Sequence, residues 1–204
     1  AQLGVSGAAA WSSLRDELGG RATVSLDVDG EPQELPLSEA GNFAYNPDRA
    51  LRQRADAAIN ATWESLGVPL AAAINAVKGQ QRVLSDRRGW ADPLDVSLAQ
   101  NAIDRETLDA MQIAIREAIP DYQRYLRAKA QLLGLSQLAG YDFDAPVGEP
   151  MEWPYNRAEA FVLETFAAEH QPLADLARRA FQENWIDAET RAGKDGGGYS
   201  IGVG

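Results

Sequence analysis

The sequence predicts a mainly α-helical fold: a multi-helix array with a small β-hairpin near the N-terminus and a short C-terminal strand. Three observations carry this. Apolar residues recur at helical spacing over most of the 204 residues. Proline, asparagine and aspartate stand where those periodic stretches begin. Only two segments switch to a period of two or lose the helical rhythm. Apolar residues make up 45% and charged residues 24%, the balance of an ordinary globular protein, so the helices have enough apolar surface to bury a core.

In chain order, Trp11, Leu14 and Leu18 recur at helical spacing after Ser6-Gly7. Ala22, Val24, Leu26 and Val28 then alternate with Thr23, Ser25 and Asp27, and Leu35 and Leu37 resume the alternation beyond Asp29-Gly30. This predicts a hairpin over about residues 21–38, with a loop longer than the minimal two residues. Asn46 is a capping residue with Pro47 at the first helical position, and Leu51, Ala55, Ile59, Thr62, Trp63 and Leu66 follow on one face. Pro69 opens a helix with Leu70, Ile74, Val77 and Leu84, in which Gly79 is a weak point. Asp104 caps a helix with Leu108, Met111, Ile115 and Ile119 on one side, and Pro120 is expected to end or kink it. Tyr122, Tyr125, Leu126, Leu132 and Leu133 continue the pattern until Gly134 stops it. Tyr141–Trp153 is loop-like. Asn156 with Glu159 resembles a capping box before Phe161, Val162, Thr165 and Phe166. Pro172 opens a helix with Leu173, Leu176, Ala177, Ala180 and Phe181, and from Trp185 onward the chain reads as strand or extended loop.

Charge and composition exclude several functions. Thirty acidic residues against nineteen basic ones leave a formal charge of −11, which repels nucleic acid and an anionic membrane surface alike. No apolar run is long enough to span a bilayer, and Ala1–Ala10 lacks the pattern of a signal peptide. With no cysteine, disulfides and thiolate metal sites are excluded, and a reducing, cytoplasmic setting is expected.

The motifs with chemical content mostly dissolve on inspection. His170 is the only histidine, and Glu169-His170-Gln171-Pro172 reads as a helix boundary rather than a metal ligand set. Gly198-Tyr199-Ser200-Ile201-Gly202 matches the G-x-S-x-G pattern, but no helix or later histidine follows to make a serine hydrolase elbow. Gly193-Lys194 is followed by Asp195, which would repel phosphate. Asp142 and Asp144 lack the ligand spacing of a calcium loop and read as solvated, capping carboxylates. The three consecutive glycines Gly196, Gly197 and Gly198, before alternating Tyr199, Ile201 and Val203, are the useful clue. Extended backbone without side chains lets another backbone approach, as when a peptide adds to a sheet edge.

The tail Glu183-Asn184-Trp185-Ile186-Asp187, through Gly193-Lys194 to Gly196-Gly197-Gly198-Tyr199-Ser200, resembles a passage of oligoendopeptidase F-like enzymes, in the thimet oligopeptidase family of zinc metallopeptidases. Arg88-Gly89-Trp90-Ala91-Asp92-Pro93-Leu94, Asn101–Leu108 and Tyr141-Asp142-Phe143-Asp144-Ala145-Pro146 are similar to further passages of that family, in the same order. The resemblance implies a helical zinc-dependent endopeptidase that admits short oligopeptides to a deep cleft. In that family zinc is held by the two histidines of an H-E-x-x-H helix and a later glutamate, with the motif glutamate as general base. This chain contains no such motif, so the resemblance implies a non-catalytic piece ending just before that helix, with no metal bound to it. Residues 1–140 would be the N-terminal helical part and 154–204 the start of the catalytic region. Gly196, Gly197, Gly198, Tyr199 and Ser200 would form a cleft-wall strand against the substrate backbone. Apolar helix faces left uncovered in such a piece would favour self-association. A non-catalytic helical interaction module is the alternative.

Overall fold

The structure is a computed structural model that describes residues 2–149, 151, 153–189 and 191, with side chains from residue 4 onward. It is mainly α-helical, with one two-stranded antiparallel sheet among the described residues. Two compact units are distinguished, residues 2–147 and Gly148–Arg191.

The first unit begins with a short helix α1 (Gln2–Ser6) and α2 (Ala8–Arg21), followed by the hairpin strands β1 (Thr23–Val28) and β2 (Glu31–Pro36). Val28 pairs with Glu31, so the loop is the two-residue minimum, shorter than the sequence predicts. Asp29 at φ 56° and Gly30 at φ 87° both take left-handed backbone, which matches the right-handed twist of the strands. The alternation along β1 is as predicted: Val24 and Leu26 are buried while Thr23, Ser25 and Asp27 face solvent. Leu37 does not continue the strand; it opens α3 (Leu37–Gly41).

The helix α4 (Arg49–Ser65) crosses this sheet and brings Leu51 and Ala55 against Val24, Leu26, Leu35 and Ala40 to form the core. Truncating a side chain as buried as Leu26 costs about 2–5 kcal/mol in such cores. Asp48, not Asn46, caps α4: its carboxylate accepts from the Ala50 N–H at 2.9 Å, while the Asn46 carboxamide accepts from the Asp48 N–H at 2.8 Å. The helix therefore starts two residues later than the Asn46-Pro47 signal suggests.

Only Leu66 separates α4 from α5 (Gly67–Arg87), which packs along α2. Pro69 lies inside the first turn of α5 rather than opening it, where a missing N–H leaves no helical bond unmade. The short helix α6 (Pro93–Gln100), capped by Asp92, was not read from the sequence. It leads to α7 (Arg105–Leu132), where Asp104 accepts from the Thr107 N–H at 2.7 Å as its pattern predicts. Pro120 does not end α7. It sits on an exposed stretch, where water can serve the carbonyl its ring leaves without a partner. Gly134, at φ 69°, terminates the helix with Leu135 N–H bonded to Ala130 C=O at 2.8 Å and Gly134 N–H to Gln131 C=O at 3.0 Å.

The second unit is a helical hairpin of α8 (Tyr155–Glu169) and α9 (Gln171–Gln182). Tyr155 meets Phe181 edge-to-face at 6.0 Å, and Ala174 is fully buried. Pro154 precedes α8, and Asn156 lies in the first turn with its side chain on the neighbouring Arg157 N–H, so the predicted capping box does not form. Pro172 is the second residue of α9. Trp185 to Glu189 carry no regular structure, and the C-terminal strand predicted beyond them lies outside the described residues.

Candidate functional site

The residues that the sequence singles out as substrate-binding, Gly196, Gly197, Gly198, Tyr199 and Ser200, all lie outside the described residues. His170 is exposed at the junction of α8 and α9, ending one helix and preceding the next. Its backbone N–H bonds to Phe166 C=O at 2.7 Å and its C=O accepts from Leu173 N–H at 3.0 Å, which is the helix-boundary role read from the sequence. Among the described residues no group of three or more His, Asp or Glu side chains could hold a metal ion. The donor set that a hydrolytic zinc needs does not fit these residues.

The described residues instead bring together a buried ionic node that sequence reasoning missed. Asp142 stands in a short 3₁₀ turn (Gly140–Asp142) and has no exposed side-chain surface. Arg49 holds it with two nitrogens, Nε to Oδ1 at 3.0 Å and Nη2 to Oδ2 at 2.9 Å. Arg52 adds Nη2 to Oδ1 at 2.9 Å, and the Ala139 N–H donates to Oδ2 at 2.9 Å. The reading of Asp142 as a solvated carboxylate is thus corrected, whereas Asp144 is exposed as expected.

Arginine suits this position because its planar fork can bond several acceptors at fixed angles. Arg52, itself buried, uses its remaining donors on the carbonyls of Asn46, Pro47 and Tyr141. The Arg49 guanidinium also lies 5.1 Å from the centre of the Tyr141 ring. Burial alone would push the Asp142 carboxyl up. The hydrogen bonds from Arg49, the Ala139 N–H and Arg52, with the Arg49 charge, outweigh it and hold the group at about 2. Every acceptor is engaged, so the node fastens the start of α4 to the loop after α7 and has no group to spare for proton transfer. Lys129 adds a second tie there, Nζ to the Phe143 carbonyl at 2.5 Å.

Several concave sites lie among the described residues, and one of them is mostly apolar. A cavity of about 410 Å³ is lined by Trp11 of α2, Trp63 of α4, and Leu70, Ala73, Ile74 and Val77 of α5. Its polar lining includes Arg15 and Asp16, paired at 2.9 Å, and Lys78. A mostly apolar hollow with a few polar groups suits a small ligand or one anchored side chain better than a catalytic centre.

A two-unit, mainly helical architecture with a buried Arg–Asp node and no described metal ligands is the class that comparison with known proteins must explain. No family model matches the chain. Among curated proteins it is 26% identical over 180 residues to Group B oligopeptidase PepB of Streptococcus agalactiae serotype III (strain NEM316), covering 88% of this chain and 30% of that protein. To oligopeptidase PepF of Bacillus subtilis (strain 168) it is 22% identical over 179 residues, 87% of this chain and 27% of that one. Among solved structures, PZ peptidase A superposes with a TM-score of 0.80 at 18% identity, over 93% of this chain and 34% of its own. Oligoendopeptidase F from Enterococcus faecium gives 0.59 at 18% identity, over 88% and 41%.

These structural likenesses establish the fold. Relatives and neighbours that cover most of the chain include proteins named oligoendopeptidase F, PepF and PepB, in line with the resemblance read from the sequence passages. The chain spans about 30% of the length of the curated relatives it matches.

Proposed function

We propose that this chain is a segment of an oligoendopeptidase F-type zinc metallopeptidase, cytoplasmic and acting on short oligopeptides, to which it contributes scaffold and part of the substrate-cleft wall. The observation that carries the reading is the coverage. A single alignment takes in 88% of the chain and only 30% of an oligopeptidase, so nearly all of this sequence corresponds to a part of such an enzyme. Residues Gly196–Ser200 would supply the wall strand, their missing side chains admitting the substrate backbone.

The zinc ligands in this reading belong to polypeptide outside these 204 residues, since the described side chains do not fit a hydrolytic site. When bound, zinc would activate water for peptide-bond hydrolysis. This chain's own contribution is to shape the space around the peptide. By itself it is expected to bind no stoichiometric zinc and to cleave nothing.

The decisive experiment is to sequence the gene past Gly204, express the complete protein and assay an internally quenched oligopeptide with and without chelator. Chelator-sensitive cleavage and a downstream H-E-x-x-H support the reading. A reading frame without paired histidines replaces it with a non-catalytic helical interaction module. Exposed apolar side chains on α7, among them Met111, Ile115 and Ile119, favour that module's kind of contact and equally favour self-association of the isolated chain.

A further inference from the structure

The cavity shared by α2, α4 and α5 is lined by residues between Trp11 and Lys78, and its chemistry is specific enough to name an occupant. Two indoles, Trp11 and Trp63, are each half-buried on it, and Ala73 is nearly inaccessible at 4% exposure. Ile74 is 61% exposed, so a large aliphatic surface stands in water at the same place. Indole and branched aliphatic surfaces gain most by covering an apolar group of similar size. About 410 Å³ is room for one large side chain and its backbone, not for a helix.

The charges around the cavity are unequal. Arg15 and Asp16 neutralise each other at 2.9 Å. Lys78, also lining it, donates at 3.4 Å to the neutral Gln81 amide, and no carboxylate among the described residues lies within ion-pair reach of it. The cavity thus carries one net positive charge on a chain whose formal charge is −11. Its complement is an apolar group that ends in a single anion.

We propose that this cavity binds the C-terminal residue of a short peptide, with an apolar side chain against Trp11, Trp63, Leu70 and Ile74 and the terminal carboxylate at Lys78. The choice of a peptide, rather than a free aromatic acid, as the source of that carboxylate rests on the oligopeptidase reading. The site itself does not, because binding is measured on this chain without any cleavage.

The test is a titration of the 204-residue chain followed by the indole N–H resonances of Trp11 and Trp63, assigned with W11F and W63F. Three ligands are compared: N-acetyl-Ala-Phe, the same peptide as its C-terminal amide, and 3-phenylpropionate. The acid is expected to shift both indole signals and to bind about threefold tighter than the amide, the size of an exposed charge pair. That preference should shrink in high salt. Lys78→Met should erase it, and Ile74→Trp, which fills the mouth of the cavity from an exposed position, should abolish binding. Circular dichroism checks that both variants stay folded. Equal affinity for acid and amide, or unaltered binding in either variant, overturns the proposal. So does 3-phenylpropionate binding as tightly as the peptide, which would make the site one for free aromatic acids. Failure here leaves chelator-sensitive cleavage by the complete protein untouched, and failure of that assay leaves this titration untouched.

Discussion

Asp142 and Arg52 meet at 2.9 Å across ninety positions of sequence, with 0% and 3% of their side chains exposed. Arg52 is also held by three backbone carbonyls, so removing the carboxylate would leave its charge buried rather than freed. Breaking one partner of a buried pair costs about 3–5 kcal/mol. Asp142→Asn is expected to lower unfolding stability by that amount in urea titrations followed by circular dichroism. A loss under about 1 kcal/mol would show that the node is not a fastening point.

The same pair sets a pH dependence. The Asp142 carboxyl is depressed from 3.8 in the unfolded chain to about 2 in the folded one. Its stabilising effect is therefore complete above about pH 4 and declines as acid protonates the folded group near pH 2. The shift corresponds to about 2 kcal/mol. The stability difference between the native chain and Asp142→Asn should be flat from pH 5 to 7 and narrow by roughly this amount on acidification. A difference that instead shrinks towards neutral pH would rule out the depressed carboxyl.

Ala102 offers a gain. It closes α6 with the bonds of a glycine terminus, Ile103 N–H to Leu98 C=O at 3.1 Å and Ala102 N–H to Ala99 C=O at 3.2 Å, but at φ 52° with a Cβ attached. A side chain in that conformation costs about 1–2 kcal/mol, partly offset by the entropy that glycine loses on folding. Ala102→Gly should raise stability by about 0.5–1 kcal/mol, or about 1–3 °C in Tm by calorimetry. A lower Tm would mean that the strain is absent.

How far the fold was legible follows from how local each signal is. Asp104 was readable because a cap is decided within three residues. At α4 the signal was present but ambiguous: Asn46 and Asp48 are both capping residues, and which of them takes the helix depends on where Arg52 must reach. Asn156 failed because the chain enters α8 through Pro154, two residues too early for a carboxamide at 156 to cap. The hairpin was plain in the alternation of Val24 and Leu26, while its two-residue loop depended on Asp29 accepting a left-handed conformation. Asp142 was illegible in principle, since nothing within a dozen residues of it announces two arginines on α4. A spacing of Arg49 and Arg52 that puts both on one helix face was the available hint. The glycine site at 196–200 stays a proposal, because it lies outside the described residues.

Along α7, Met111, Ile115 and Ile119 are each about half exposed and share one face with Tyr122. An apolar stripe of this kind on an isolated chain is expected to associate. Size-exclusion chromatography with light scattering should show a mass that rises with concentration, and Ile115→Glu should return the chain to monomer without loss of helix content. A chain that stays monomeric at high concentration would remove self-association from the reading.

Gly197→Val tests the proposed cleft wall in the complete protein. If Gly196–Ser200 pairs with the substrate backbone, a branched side chain at its centre keeps the peptide from close approach while leaving the zinc chemistry elsewhere intact. The effect should then fall on binding: KM rises by about tenfold or more, in proportion to the loss of one or two backbone hydrogen bonds at about 1 kcal/mol each, while zinc content is unchanged. Gly197→Ala, smaller and still compatible with extended backbone, should lie between the two. Were kcat to collapse at constant KM, the glycines would be supporting the metal helix and not the peptide; were neither to move, the segment would lie away from the substrate altogether.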